Sequence, residues 1–331
     1  MSSEALVEKA KFAIVLVLFV SACLHSSPIN SQKMLAYITS HPMLFELVAE
    51  TVFFIAVWEL YFIRTLMPKC HDWASKQPFW GEILRRRGAL AKSGQSDLVL
   101  MMVLAAHHTT AGSILLLSTF LKSGFLWRHG ALMELGYELA DLYANIRGVW
   151  PYEKKKVPMD IRIGFALHHL PGIALLFPLI MNNYHENPHL QAIGGWLLFG
   201  AGISAWMGVA VYTRNFDDPT EMKQAATSQL VGTASFLFAR WVIFPVESAA
   251  FLAELDTRTD ISENFPMVSR AMLLSLSLFN LAVTFTIVPK AIRYIIKGFY
   301  SSKVSLEELN ENEIKELALD ESTSMASKKT S

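Results

Sequence analysis

Apolar runs recur eight times along this chain, near 11–27, 43–66, 96–121, 125–146, 161–183, 191–213, 226–252 and 268–288. Each is close to the roughly 20 residues that a helix needs to cross about 30 Å of hydrocarbon. A backbone inside lipid must satisfy its own N–H and C=O groups, and helices of this length do so. The expected fold is therefore all-α and polytopic, a bundle of about eight transmembrane helices. The fourth run is the least hydrophobic, and its assignment as a span rests on the topology of its neighbours. Composition agrees: 52% of the 331 residues are apolar and 18% charged, more apolar surface than a soluble domain of this size buries. The 29 basic residues match the 29 acidic ones, so no bulk charge points to nucleic acid as a partner. Cys23 and Cys70 are the only cysteines, which leaves no disulfide framework and no CxxC metal or redox motif.

Loop charges orient the spans, because short cytosolic loops retain Lys and Arg. Lys69, Lys76, Arg85, Arg86, Arg87 and Lys92 separate the second and third runs, and Lys154, Lys155, Lys156 and Arg162 separate the fourth and fifth. The loop after the seventh run is acidic, with Glu254, Asp256, Asp260 and Glu263. Eight spans with both termini in the cytosol satisfy this distribution. The first run is expected to stay as an anchor, since Lys9 and Lys11 precede it and Leu24-His25-Ser26-Ser27-Pro28 is a poor cleavage site.

The chain thus divides into an N-terminal segment with an anchor helix, 1–42, a transmembrane domain, 43–298, and a cytosolic tail, 299–331. The tail is rich in Glu, Lys and Ser, with a short helical pattern at Leu306, Leu309, Ile314 and Leu317, the composition of mobile chain. It ends Lys328-Lys329-Thr330-Ser331, similar to the dilysine signal that returns membrane proteins to the endoplasmic reticulum. That similarity implies the endoplasmic reticulum as location and the COPI coat as a partner through Lys328 and Lys329.

Ionisable residues within the spans are the candidate functional groups, because such groups face a protein interior or a watery cavity. The fourth run carries Glu134, Glu138, Asp141 and Asn145, which at helical periodicity share a stripe about 60° wide. The flanking runs carry His107-His108 and His168-His169. Counting about 1.5 Å per residue from the cytosolic ends puts His168 and His169 about 10–12 Å deep, Asp141 about 8, Glu138 about 13 and His107 about 17. These groups form one layer. Neighbouring histidines point about 100° apart on a helix, so one of each pair is expected to face the layer. Arg240, deeper in the seventh run, is expected to neutralise Glu134 or Glu138. Glu46, Glu50 and Glu59 lie on the second run, the first two nearer its lumenal end.

A neutral imidazole beside a carboxylate suits general-base work, because the carboxylate orients the ring and stabilises its protonated form. No metal site is expected: membrane di-iron enzymes use HxxxH and HxxHH boxes, and the one HxxxH here, His185 to His189, contains Pro188 and falls in a short lumenal loop.

At these residues the sequence resembles the TLC-domain family, membrane proteins named for the translocating-chain-associating, longevity-assurance and ceroid-lipofuscinosis proteins, which include ceramide synthases. The resemblance rests on four short elements in order: Leu104-Ala105-Ala106-His107-His108, then Gly136-Tyr137-Glu138-Leu139-Ala140-Asp141-Leu142, then Met159-Asp160-Ile161 leading to Leu167-His168-His169, and Phe236-Leu237-Phe238-Ala239-Arg240. It would cover about 43–298 and implies a TLC-like bundle around a polar cavity. Ceramide synthases carry a further histidine-and-acid element beyond the double histidine, where this chain has Trp196 to Trp206 with no acid. The same distance from His107-His108 reaches Glu134-Leu135-Gly136-Tyr137-Glu138, which lacks the histidine.

The resemblance implies a role in lipid metabolism or membrane lipid homeostasis, by binding, sensing or moving lipids in an intramembrane cavity lined by His107, His108, Glu134, Tyr137 and Arg240. The alternative is an N-acyltransferase of ceramide-synthase type acting on a lipid amine, with acyl-CoA as co-substrate, His168 or His169 as base and Asp141 or Glu138 orienting it. A proton-coupled transporter is the third reading, suggested by the acidic stripe alone.

Overall fold

A computed structural model describes residues 42–81, 91–147, 159–181, 187–258 and 264–300. The expected anchor near 11–27, the basic clusters at Arg85 to Arg87 and Lys154 to Lys156, His185 and the tail with Lys328 and Lys329 lie outside the described residues. Among the described residues there is no strand, and seven long helical rods occur. Helix α1 runs through Pro42–Val57, a π-helical stretch Trp58–Leu66 and Met67–Ser75; α2 is Ala91–Leu121, α3 Gly124–Arg147, α4 Met159–Met181 and α5 Pro188–Tyr212. Helix α6 comprises Pro219–Leu237, a π-helical stretch Phe238–Ile243 and Phe244–Leu255, and α7 comprises Asn264–Ile295 and a π-helical end Ile296–Tyr300.

Four segments are long and apolar enough to cross a membrane: Leu98–Leu121, Pro188–Tyr212, Pro219–Leu255 and Phe265–Tyr300. Their apolar side chains are also turned outward, with Phe120, Leu121, Val246, Leu274 and Phe285 exposed. An exposed apolar surface of this extent is stable against lipid rather than water, so the chain is a membrane protein.

Several helices extend past the apolar runs, because capping and helix propensity are not hydropathic. Helix α6 starts at Pro219, before the apolar run near 226, because Asp218 accepts hydrogen bonds from the N–H groups of Thr220 and Glu221 at 2.7 and 3.0 Å. Proline follows at the first helical position, where its missing N–H costs nothing. Asp218→Ala is expected to lower stability by about 1 kcal/mol, read as a lower unfolding midpoint in detergent. Asn187 caps α5 in the same way, accepting from the Leu190 N–H at 2.9 Å.

Helix α3 is the exception in composition. Ala131, Leu132, Glu134, Leu135, Tyr137, Glu138, Leu139, Ala140, Leu142 and Ala144 are all buried, so Glu134 and Glu138 are sealed by neighbours instead of facing lipid. Helix α3 packs on α1, α2 and α4. Continuing through α4 to α7, α6, α5 and back to α2, the neighbour relations close a ring of six helices, with α1 laid against α2 and α3.

Two contacts let this ring close tightly. A Cβ on Gly112 of α2 would lie 2.5 Å from the Phe199 backbone N of α5, and one on Gly202 of α5 would lie 2.6 Å from the Thr109 backbone N of α2. The α2 and α5 backbones therefore touch, as small residues permit between membrane helices.

Polar contacts tie the helices together at several places. Arg128 at the start of α3 meets Glu50 of α1 at 2.7 Å. The Asn187 amide donates to Glu254 at 2.7 Å, His189 meets Glu247 at 2.7 Å, and Arg270 pairs with Asp256.

Candidate functional site

The site is built where α2, α3 and α4 meet. His107 of α2 is 0% exposed, and its Nε2 lies 2.9 Å from Glu134 Oε2 of α3. Its Nδ1 is buried without a hydrogen-bond partner. The hydrogen therefore belongs on Nε2, which donates to the carboxylate. The neighbouring His108 donates from Nδ1 to the Leu104 carbonyl at 3.0 Å, which leaves its Nε2 3.7 Å from Glu134 Oε1. One carboxylate thus sits between two imidazoles.

A second pair lies about two turns further along α3 and across on α4. His169, also 0% exposed, places Nε2 3.0 Å from Asp141 Oδ2. Tyr137 joins the two pairs. Its ring centroid lies 4.8 Å from that of His107, 5.4 Å from His108 and 5.6 Å from His169. The roof over this layer is aromatic and comes from α1, with Trp58 4.6 Å from Tyr137 and 5.0 Å from His107, and Phe62 5.2 Å from His107. Both residues lie in the first π-helical stretch, whose wider turn re-aims side chains and recurs at functional sites. Glycine matters here as well: a Cβ on Gly136 would lie 2.7 Å from the Phe54 backbone carbonyl carbon, so α3 rests directly on α1 beside Tyr137.

The structure brings His107, His108, Glu134, Tyr137, Asp141 and His169 together in one layer, while His168, which depth counting places with them, is not part of it. The expectation that each histidine pair splits holds for one pair only. Both His107 and His108 reach Glu134, whereas His168 turns away from the layer and stacks on Phe279 of α7 at 4.4 Å and 16°.

Glu138 is buried between the pairs, with Oε2 lacking a hydrogen-bond partner. Its carboxylate fits against Gly172 of α4, where a Cβ would collide with it. Glu46 and Glu50 belong to the Arg128 contact instead, and Glu59 is buried on α1. The Asn145 side chain lies outside the described residues.

Arg240 departs from expectation. It neutralises neither Glu134 nor Glu138: the second π-helical stretch turns it toward α7, where Nη1 donates to Asn280 Oδ1 and the guanidinium lies 4.4 Å from the Phe236 ring centroid and 5.7 Å from that of Phe279.

Trp58, Phe62, Gly172, Phe279 and Asn280 escaped the sequence reading. Asn280 alone left a signal, as an amide inside the apolar stretch Leu276 to Leu281. The others look like ordinary apolar or small residues until their neighbours are known.

Chemically, the layer sets imidazoles beside carboxylates, the pairing that suits general acid–base work. His107, Glu134 and His169 are sealed, while the side chains of His108 and Asp141 keep 12% and 13% of their surface exposed. Among the described residues no group of three or more His, Cys, Asp or Glu side chains is arranged to hold a metal ion. Outside the layer, burial pushes the Cys70 thiol up from its ordinary value, which makes it a weak nucleophile at neutral pH.

No family model, no curated protein and no solved structure matches this chain.

Proposed function

We propose that this chain is a TLC-type protein of the endoplasmic reticulum membrane, with eight spans and cytosolic termini, that acts on membrane lipid composition through its buried histidine and carboxylate layer. One observation carries the reading: two histidine–carboxylate pairs, His107–Glu134 and His169–Asp141, are brought together around Tyr137 inside a ring of membrane helices. Ionisable groups at such a depth are costly and mark function. The apolar outer face and the polar buried layer together suit a protein that meets lipids laterally and handles a polar group inside.

Lipidomics of cells lacking the protein tests this, with complementation by wild type, by His169→Ala and by His129→Ala, whose ring lies outside the layer and bonds only its own helix at the Phe125 carbonyl. Wild type and His129→Ala are expected to restore a disturbed lipid class, and His169→Ala is expected to fail. If wild type restores none, the lipid reading falls. If His169→Ala restores as well as wild type, the layer is not the site.

The closeness of Asp141 to His169, 3.0 Å from Nε2, favours acyl transfer as a second reading, since a nearby carboxylate stabilises the imidazolium that a base becomes. The ring would take the proton of an attacking lipid amine as its nitrogen bonds the acyl carbon and the coenzyme A thiolate leaves. Incubation of purified protein with labelled acyl-CoA and a long-chain base checks it. Product no greater than a heat-killed control would end this reading and leave the first intact.

A further inference from the structure

The membrane interior holds a second polar centre, separate from the histidine and carboxylate layer. Arg240 of α6 is 6% exposed and Asn280 of α7 is 2% exposed. Arg240 lies near the middle of the span Pro219–Leu255, and Asn280 near the middle of Phe265–Tyr300.

A guanidinium keeps its charge at any physiological pH. Buried in a bundle, it needs a counter-charge or several acceptors. Among the described residues no carboxylate lies within ion-pairing distance of it; its protein acceptor is Asn280 Oδ1, and two rings cover its faces. The Arg240 Nε–H and the Asn280 Nδ2 amine are both buried with no acceptor.

His168 joins this centre from α4. Its ring stacks on Phe279, over which Arg240 also lies, and its Nδ1 is buried without a partner. Three helices therefore bring buried donors around the Phe279 ring, and an acceptor with negative charge would satisfy them. Buried polar atoms left open in this way are where a ligand belongs.

The geometry points to a binding site for the anionic headgroup of a membrane amphiphile, a carboxylate or a phosphate, held by Arg240, Asn280 and His168. Oxyanions are acceptors only and match a guanidinium fork. The amphiphile source follows from the surroundings. The walls are the rings of Phe236, Phe279 and His168, and the residues next to Arg240 on the same π-helical stretch, Trp241 and Val242, are exposed on the apolar outer face. A ligand from lipid would approach from that side. A hydrated ion would have to cross apolar walls. This site goes beyond the proposed role of the histidine layer and stands or falls separately, because its readout is binding and not lipid composition.

The test uses full-length protein purified in a neutral detergent, with the thermal midpoint measured after adding oleate, phosphatidic acid, phosphatidylcholine or inorganic phosphate. Oleate or phosphatidic acid is expected to raise the wild-type midpoint by several degrees, and the other two to leave it unchanged. Arg240→Gln is expected to lose the shift. Asn280→Leu, which keeps the charge, is expected to need about tenfold more ligand for the same shift, and it decides the matter if Arg240→Gln does not fold. The site is overturned if no anion shifts the wild type, if phosphatidylcholine shifts it equally, or if folded Arg240→Gln or Asn280→Leu responds as wild type does. A shift with inorganic phosphate at the same concentration would overturn the amphiphile.

Discussion

Replacing Glu134 by leucine is expected to cost about 1–3 kcal/mol of stability, because it removes the acceptor of the His107 Nε2–H and leaves a buried donor unsatisfied. The pair is sealed, at 0% and 4% side-chain exposure, so water cannot take the carboxylate's place. Leucine also removes the charge that faces His108 at 3.7 Å. Two controls separate the polar loss from packing. Glu134→Gln keeps an acceptor oxygen near His107 Nε2 and is expected to cost about half as much or less. Combining Glu134→Leu with His107→Leu removes both partners and is expected to recover part of the loss, since a buried pair replaced by apolar groups is often neutral. The measurement is the unfolding midpoint in detergent, together with the yield of monodisperse protein. A Glu134→Leu variant as stable as wild type would mean that the pair is not buried as described.

The second large effect is steric. Gly202→Val is expected to destabilise the bundle by about 3 kcal/mol or more, above the usual cost of overpacking a core, because the added atoms meet backbone that cannot change rotamer. A Cβ there would lie 2.6 Å from the Thr109 N and 3.0 Å from its Cα, so α2 and α5 must separate along their whole crossing. Gly164→Ala is the contrasting variant. It lies on α4 with nothing within 4 Å of an added Cβ, and it is expected to be neutral or to stabilise by about 0.5–1 kcal/mol through the unfolded chain's lost freedom. If both substitutions behave alike, the close α2–α5 approach is wrong.

Much of the site was legible because helical periodicity is local. The spacing of Glu134, Glu138 and Asp141 places them on one face of any helix, whatever surrounds it. Position along the helices then limits which histidines can meet those acids, and Tyr137 lies within the same stretch. Rotation of one helix about its axis relative to the next is not local, and sequence spacing is silent on it. That rotation decides that His169 meets Asp141 while His168 turns to Phe279. It also takes Arg240 away from the acids of α3.

The π-helical stretches belong to the same class of unreadable features. Nothing in Trp58-Glu59-Leu60-Tyr61-Phe62 or in Phe238-Ala239-Arg240-Trp241 marks a wider turn, since the extra residue per turn is stabilised by what the side chains find on neighbouring helices. Trp58 finds Tyr137 and His107, and Arg240 finds Asn280. By itself, then, the sequence determined that this chain is helical and suited to a membrane, and which polar residues share a depth and a face. Those properties follow from hydropathy, capping and a period of about 3.6 residues. Only the tertiary structure decided which of those polar residues become partners and which stay open, because partner choice depends on how helices far apart in sequence turn and approach, down to the two glycines at which α2 and α5 touch.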